Sequence, residues 1–511
     1  MKKMLLLACM GIAHFVNGQI TGPSSLYGGT DWDYSRGIAP APGGGFVSVG
    51  ETFSNNGDIP ANLGAFDGWA FRTDASGTLS WSFNFGGTDY DYLQKVQPTP
   101  DGAFIAAGYS WSNDGDCVGN HGNQDAWVMK FSATGDVIWS KLFGGFASDF
   151  AYDIITTSDG GYAFCGETWS QSGDVVGNPD NGAAQIWIVK LDADGNITWS
   201  MTYGGSDGDY GYRLNQTPDN GFICIGETSS NNVQVSNNHG NEDIWVVKTS
   251  SGGTLEWAKT YGGSGSDQGR DIQPTADGGY ILVAAANSNN PEGDITGSHG
   301  FFDAWVAKLT STGDIEWSRM YGGSGEDEGM EIYPTQNGYI VMGHTRSFDG
   351  DFGGITGDVD TFLMKIEADG DIVWADTFGT SADDRCYNLF KQGNQYTMAG
   401  YSSSLEGSLG TPHGGRDAWL MQVTDNDPLA VFSTEAQLIK AYPNPVRHTL
   451  SFSGEQALES VAIYNAIGIL VKSKDFDTLG RSIDVSDLQT GTYLATVKTK
   501  DATKTFTIIK K

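Results

Sequence analysis

Carboxylates recur along this chain at a spacing regular enough to ask what chemistry they serve. Asp33, Asp91, Asp149, Asp209, Asp267, Asp327 and Asp384 each stand four residues after the second position of a Gly-Gly pair, or of Gly-Thr in the last case. Four residues further on come Gly37, Lys95, Asp153, Arg213, Asp271, Glu331 and Asn388. What recurs in every unit reads as scaffold, and what varies between units is the candidate for function. Asp271 and Glu331, from neighbouring units, form a candidate acid/base pair of the kind a glycosidase or lyase uses. Strand alternation puts them on the side of the recurring aspartates, as solvated residues of a central channel. The turns SNDGDCVGN, SQSGDVVGN and NPEGDITGS set Asp116, Asp174 and Asp294 beside Gly and Asn. These oxygen-rich turns suit Ca²⁺, and plain turn chemistry produces the same pattern. Phe53, Trp111 and Trp169 occupy one site in three successive units, where later units have Ser229 and Ser403. Exposed side by side, they make a platform for sugar rings; packed beneath the loops, they are core. His121, His239, His299 and His413 recur in His-Gly pairs and read as loop braces before metal ligands. GGSDG at Gly204–Gly208 matches G-x-S-x-G, but no helix follows it, so it is no nucleophile elbow.

These residues are carried by a repeat. The second position of the pair falls at Gly29, Gly87, Gly145, Gly205, Gly263, Gly323 and Thr380, with spacings of 58, 58, 60, 58, 60 and 57 residues. Each unit holds four alternating stretches: one after the aspartate, one such as GFVSVGET, one such as DAWVMKF, and one bearing a tryptophan (Trp81, Trp139, Trp199, Trp257, Trp317, Trp374). A four-stranded sheet cannot bury both faces alone, so the units must stack. Radial stacking leaves only short edges, which predicts an all-β, seven-bladed β-propeller over residues 20–423, with an open solenoid as the alternative. The seventh unit lacks its tryptophan-bearing stretch, and residues 20–27 are expected to complete it. The G-x-x-x-W spacing of TGDVIW and TGDIEW resembles the tryptophan-docking motif of quinoprotein-type propellers. The Asp and Ala of that motif are not met upstream, so the resemblance implies the architecture and no quinone.

The remaining sequence bounds the setting. MKKMLLLACMGIAHFVNGQ reads as a signal peptide over residues 1–18. No later stretch has the roughly 20 apolar residues of a membrane helix. Beyond Cys9 there are four cysteines, too few for a disulfide framework. Cys165 and Cys224 lie one residue out of register in successive units and are expected to point to opposite faces, as small buried thiols with no disulfide between them. Residues 20–436 carry 17 Lys and Arg against 55 Asp and Glu, whereas residues 437–511 carry 10 against 7. The acidic excess argues against nucleic acid or an anionic membrane as partner. The change of sign follows a linker at 424–436 and opens a module at 437–511 with short alternating strands, expected to form a small Ig-like β-sandwich. Its motifs, Pro443, Asn444 and Pro445, then Tyr464, Asn465 and Gly468, then Leu488, Gly491 and Tyr493, then Lys510, resemble the C-terminal sorting domain of type IX secretion cargo. The resemblance implies the type IX machinery and its surface protease as partners, and a secreted or outer-membrane surface location. The sequence thus favours an exported binding module for an extracellular glycan or protein. A propeller glycosidase or lyase and a purely structural surface protein are the alternatives.

Overall fold

The structure is a computed structural model, which describes residues 19–511 except 179–181, 288–292, 296, 353, 406–408, 426–439, 443–444, 454–457, 466–469, 477–480 and 500–502. The expected signal peptide and most of the linker therefore lie outside the described residues. Contacts divide the chain into two compact units between Asn426 and Asp427.

The first unit is built from four-stranded antiparallel sheets, seven among the described residues. In the first sheet the strands run Asp33–Pro40, Phe46–Thr52, Asp67–Thr73 and Leu79–Phe85, each paired to the next. Five further sheets repeat this order along the chain. The last uses Asp384–Gln392, Gln395–Ser402 and Asp417–Thr424, and takes its fourth strand from Gln19–Tyr27. That strand pairs Tyr27 with Ala418 and Ser24 with Met421, as residues 20–27 were expected to do. Its register breaks between Ile20 and Ser24, the stretch that contains Pro23, a residue with no N–H to offer a ladder. The only helix among the described residues is a 3-10 turn at Gly350–Phe352.

The third strands show why the sheets stack. DIWVVKT and DAWVAKL are buried at every position, so both faces need a neighbour. Trp69, Trp127, Trp187, Trp245, Trp305 and Trp419 are fully buried there. Each sheet meets the next through an apolar layer, such as Val128 and Phe143 against Phe164 and Trp187. The last layer joins Ala399, Ala418 and Leu420 to Ile38, Trp69 and Phe71, so the seventh sheet packs on the first. Fourth strands grip the neighbouring sheet: Trp81 Nε1 donates to the Ala133 carbonyl and Trp199 Nε1 to the Ser251 carbonyl, both at 3.1 Å. The tyrosine that closes a fourth strand repeats the grip, Tyr261 and Tyr321 donating at 2.6 Å to the carbonyls of Gly313 and Gly370. These turn glycines have positive φ, and a Cβ on Gly195 would come within 2.7 Å of the Trp139 ring.

Cys165 and Cys224 are buried free thiols on opposite faces of successive sheets, as expected. Those are the faces that meet, so both thiols share one interface with Ile188, Leu214 and Trp245.

The second unit contains a three-stranded sheet (Lys440–Tyr442, Thr449–Ser453, Ser482–Asp484) and a four-stranded one (Leu470–Asp475, Leu458–Asn465, Gly491–Thr499, Thr503–Lys510). Leu450, Phe452, Val461, Ile463, Ile483, Val497 and Ile508 share its buried core.

Candidate functional site

The recurring aspartates are pins. Asp33, Asp91, Asp149 and Asp209 are fully buried, and each accepts the N–H of the second glycine of its pair at 2.7–2.8 Å. Hydroxyls from the second strand complete the site, as Thr52 and Ser54 do on Asp33. Burial raises the pKa of these carboxyls, Asp209 to about 6. The loop aspartates hold the other glycine: Asp116 accepts from Gly86 N–H at 3.3 Å and Asp174 from Gly144 N–H at 3.2 Å. Asp294 donates its own N–H to the Gly262 carbonyl at 2.9 Å. Among the described residues, no three His, Cys, Asp or Glu side chains gather as metal ligands. His121 and His239 brace their loops through Asp125 and Asp243, at 2.6 and 3.0 Å.

The variable ring behaves differently. Asp271 and Glu331 are not solvated: they are 2% and 1% exposed. The alternation argument failed because every first strand carries a β-bulge just before this position, as between Ala151 and Asp153 or Gly329 and Glu331. The bulge resets the pleat, so the pinned aspartates sit at the loops while the variable ring lines the channel. There each acceptor takes the N–H of the next sheet's first strand: Asp153 from Leu214 at 2.9 Å, Asp271 from Ile332 at 3.0 Å, Glu331 from Leu389 at 2.6 Å, and Asn388 from Ile38 at 2.8 Å. Glu331 also accepts from Asn388 and pairs with Lys95 at 3.2 Å and Arg213 at 3.1 Å. Lys95, Arg213 and Glu331 belong to the second, fourth and sixth sheets, so these ion pairs cross the channel. Burial, then the Glu331 charge, raises the pKa of Asp271. The candidate acid/base pair is thereby engaged in a buried plug. On the short-turn side of the plug lies a cavity of about 380 Å³.

On the loop side of the plug stand groups that the sequence reading missed. Arg36 binds Glu51 through Nη2 at 2.6 Å and Nε at 3.0 Å, with its guanidinium 4.4 Å from the Tyr387 ring centre. Tyr212 donates to Glu227 at 2.9 Å. Glu167 is buried, which pushes its carboxyl up to about 7. His344 donates through Nε2–H to the Cys386 carbonyl, 2.8 Å away, and burial lowers its pKa to about 3. The repeated Gly-Glu-Thr of second strands (residues 50–52, 166–168 and 226–228) was the signal for the three glutamates. Above them runs an aromatic arc. Phe53 is 47% exposed and rests on Phe66, 5.0 Å between ring centres; Phe66 leads to Tyr90 and Tyr92, and these to Trp111. Trp169 is 37% exposed, whereas Trp111 is half-buried among Tyr90, Tyr92 and Tyr109.

In the second unit, residues far apart in sequence converge. Val446, next to the exposed Pro445, donates to the Ile509 carbonyl and accepts from Lys511 N–H, which places it beside buried Lys510. Asn465 pairs with Tyr493, whose hydroxyl donates to the Gln489 carbonyl at 2.9 Å, and Leu488 packs on the core. Tyr464 lies in the same strand as Asn465, and Gly491 opens the strand of Tyr493. Pro443, Asn444 and Gly468 lie outside the described residues.

Residues 440–511 match the family model of the secretion system C-terminal sorting domain. This tail supports type IX secretion cargo, exported out of the cell through an interaction with that machinery. Among curated proteins the chain is similar to the regulatory protein FlaEY of Caulobacter vibrioides, 25% identical over 299 residues, which are 52% of this chain and 31% of that protein. The chain therefore spans under a third of that relative's length. Among solved structures it is similar to the extracellular domain of BT4673 from B. thetaiotaomicron (TM-score 0.38, 11% identity, 96% of this chain and 59% of that one). Sqt1 from Chaetomium thermophilum (0.41, 13%, 80% and 91%) and the polysaccharide lyase Uly1 (0.45, 10%, 81% and 94%) are similar at the same level. No helix among the described residues is long and apolar enough to cross a membrane.

Proposed function

We propose that this chain is an exported binding module: a seven-bladed β-propeller over residues 20–423 that holds a glycan on its loop face. A linker (424–436) and an Ig-like sorting domain (437–511) follow, the latter removed by the surface protease of the secretion route. Tryptophan grips of the quinoprotein type hold the blades, without a quinone. The observation that carries the binding reading is the set of exposed aromatics on the loop face. Trp32, Phe53, Tyr90, Phe146 and Trp169, in loops of the first three sheets, are 51%, 47%, 42%, 82% and 37% exposed, and Phe301 and Phe348, in loops of the fifth and sixth, are 70% and 74% exposed. The fourth sheet has Ser229 at the position of Phe53 and Trp169. Apolar rings kept in water on the loops of a rigid scaffold suit stacking against sugar rings. The engagement of Asp271 and Glu331 in the plug favours binding over hydrolysis.

The test is a glycan panel on the intact chain. Phe53→Ala and Trp169→Ala are expected to weaken binding about tenfold, or ~1.4 kcal/mol, with an unchanged melting temperature. Loss of stability in step with binding would make the rings packing residues, and silence across the panel would sink the glycan reading.

A further inference from the structure

We propose that the cavity beneath the plug is a second binding site, entered from the short-turn face, for a neutral polyhydroxylated molecule of mono- to disaccharide size. It is independent of the loop-face reading, because the plug of Lys95, Arg213 and Glu331 separates the two. The volume of about 380 Å³ lies within the range of small-molecule pockets.

The lining sets the ligand class. Two layers face the cavity. The inner one is the plug ring, whose carboxylates are already engaged: Asp153 and Asp271 by backbone N–H groups, Glu331 by two cations and a backbone N–H. With Lys391 at the outer layer, three cations against three carboxylates leave no net charge to attract an ion. The outer layer, two residues further along each first strand, includes Gln97, Asn215, Gln273, Tyr333 and Phe390. Asn215 gives its amide N–H to the Ile272 carbonyl at 2.7 Å, and Gln273 gives its own to Asp271 at 3.1 Å. Their amide oxygens remain as acceptors, since an amide donates through nitrogen and accepts through oxygen. Gln97 brings an amide N–H to the same layer, and a molecule that donates hydroxyls to the amide oxygens and accepts from that N–H satisfies this set. Tyr333 and Phe390, from adjacent sheets, offer ring faces for the apolar side of a pyranose. An anion would meet Asp271 and Glu331, and a cation would meet Lys95 and Arg213.

The experiment is saturation-transfer NMR on the intact protein at millimolar concentrations of glucose, galactose, mannose, xylose, maltose and cellobiose. Glucuronate and glucosamine serve as charged counterparts. Transfer to at least one neutral sugar is expected, exceeding that to the charged pair. Gln97→Trp, which fills the cavity at a side chain outside the plug, is expected to weaken that binding at least about tenfold. Gln97→Leu, which removes only the amide, should weaken it less, and it carries the test if the tryptophan variant does not fold. In a Trp169→Ala background, which removes the loop-face contribution, the transfer that depends on Gln97 is expected to persist. No transfer to any neutral sugar, a preference for glucuronate or glucosamine, or binding indifferent to both Gln97 variants would overturn the assignment. Disappearance of the Gln97-dependent transfer in the Trp169→Ala background would move the sugar to the loop face and overturn it equally.

Discussion

Glu331 accepts from three sheets at once, and its energetics follow from burial. Lys95 and Arg213 are 8% and 16% exposed, so neither can turn to water when their anion is lost. Glu331→Gln keeps the contacts with Leu389 and Asn388 and removes the carboxylate that touches both buried cations, and a destabilisation of about 3 kcal/mol is expected in urea unfolding. A change below about 1 kcal/mol would mean that the channel is held by the sheets alone. Glu167 predicts a pH effect. Burial raises its pKa from 4.5 to about 7; hydrogen bonds with Trp169 and Tyr152 oppose the rise and the Glu227 charge adds to it. Between those values the folded chain holds a proton that the unfolded chain has released. Its contribution is therefore full below pH 4.5, lost as pH rises through 7, and constant above. The melting temperature of Glu167→Gln should fall less over this interval than that of the parent. Parallel curves would place Glu167 in water. Sequence spacing picked out Asp271 and Glu331 as variable, yet not their state. Burial there depends on Lys95 and Arg213, which hold the same place in other repeats 236 and 118 residues away from Glu331, and spacing does not tell which repeats face one another across the channel.

Strands were legible wherever two periods coincided, the alternation within a strand and the recurrence of Gly-Gly near every 58 residues. The bulge was not, because it adds one residue to a first strand without changing its composition, and every inference about which way the next side chain points then turns over. The closing strand was legible by omission: a repeat short of one element implies a donor elsewhere. Deleting residues 19–27 removes the partner of Asp417–Thr424, the Tyr27 bond to Gly77, and the Ser24 hydroxyl that accepts from Trp419. Lower stability and concentration-dependent aggregation are expected, since an unpaired strand edge recruits other chains. Light scattering and thermal unfolding check both, and an unaltered melting temperature would mean that the ring does not need its clasp.

At the scale of the whole molecule, charge and contacts split the chain at nearly the same place, the excess of acid ending at 436 and the compact unit at Asn426. The sorting motif was legible because its residues hold the second unit together, Asn465 against Tyr493 and the chain end against Val446. The ligand of the proposed binding face was not, because loop residues obey no period. Truncation after Thr434 is expected to leave a folded first unit retained inside the outer membrane. Residues 435–511 fused to a periplasmic reporter should carry it out. Fractionation with surface protease digestion reads both, and export of the truncated chain would make the tail something other than an address.

The clasp also sets an order of events in time. Ser24 and Trp419 are 395 residues apart, and closing a loop of that length costs about 5 kcal/mol of chain entropy. Six sheets can assemble as the chain emerges, each on the one before. The seventh cannot, because three of its strands arrive last and the fourth arrived first. Ring closure is thus the late and slow step of folding, of the kind that high contact order imposes. Until it happens, the apolar layer of Ile38, Trp69 and Phe71 faces solvent, and a chaperone that binds exposed apolar surface would find its target there.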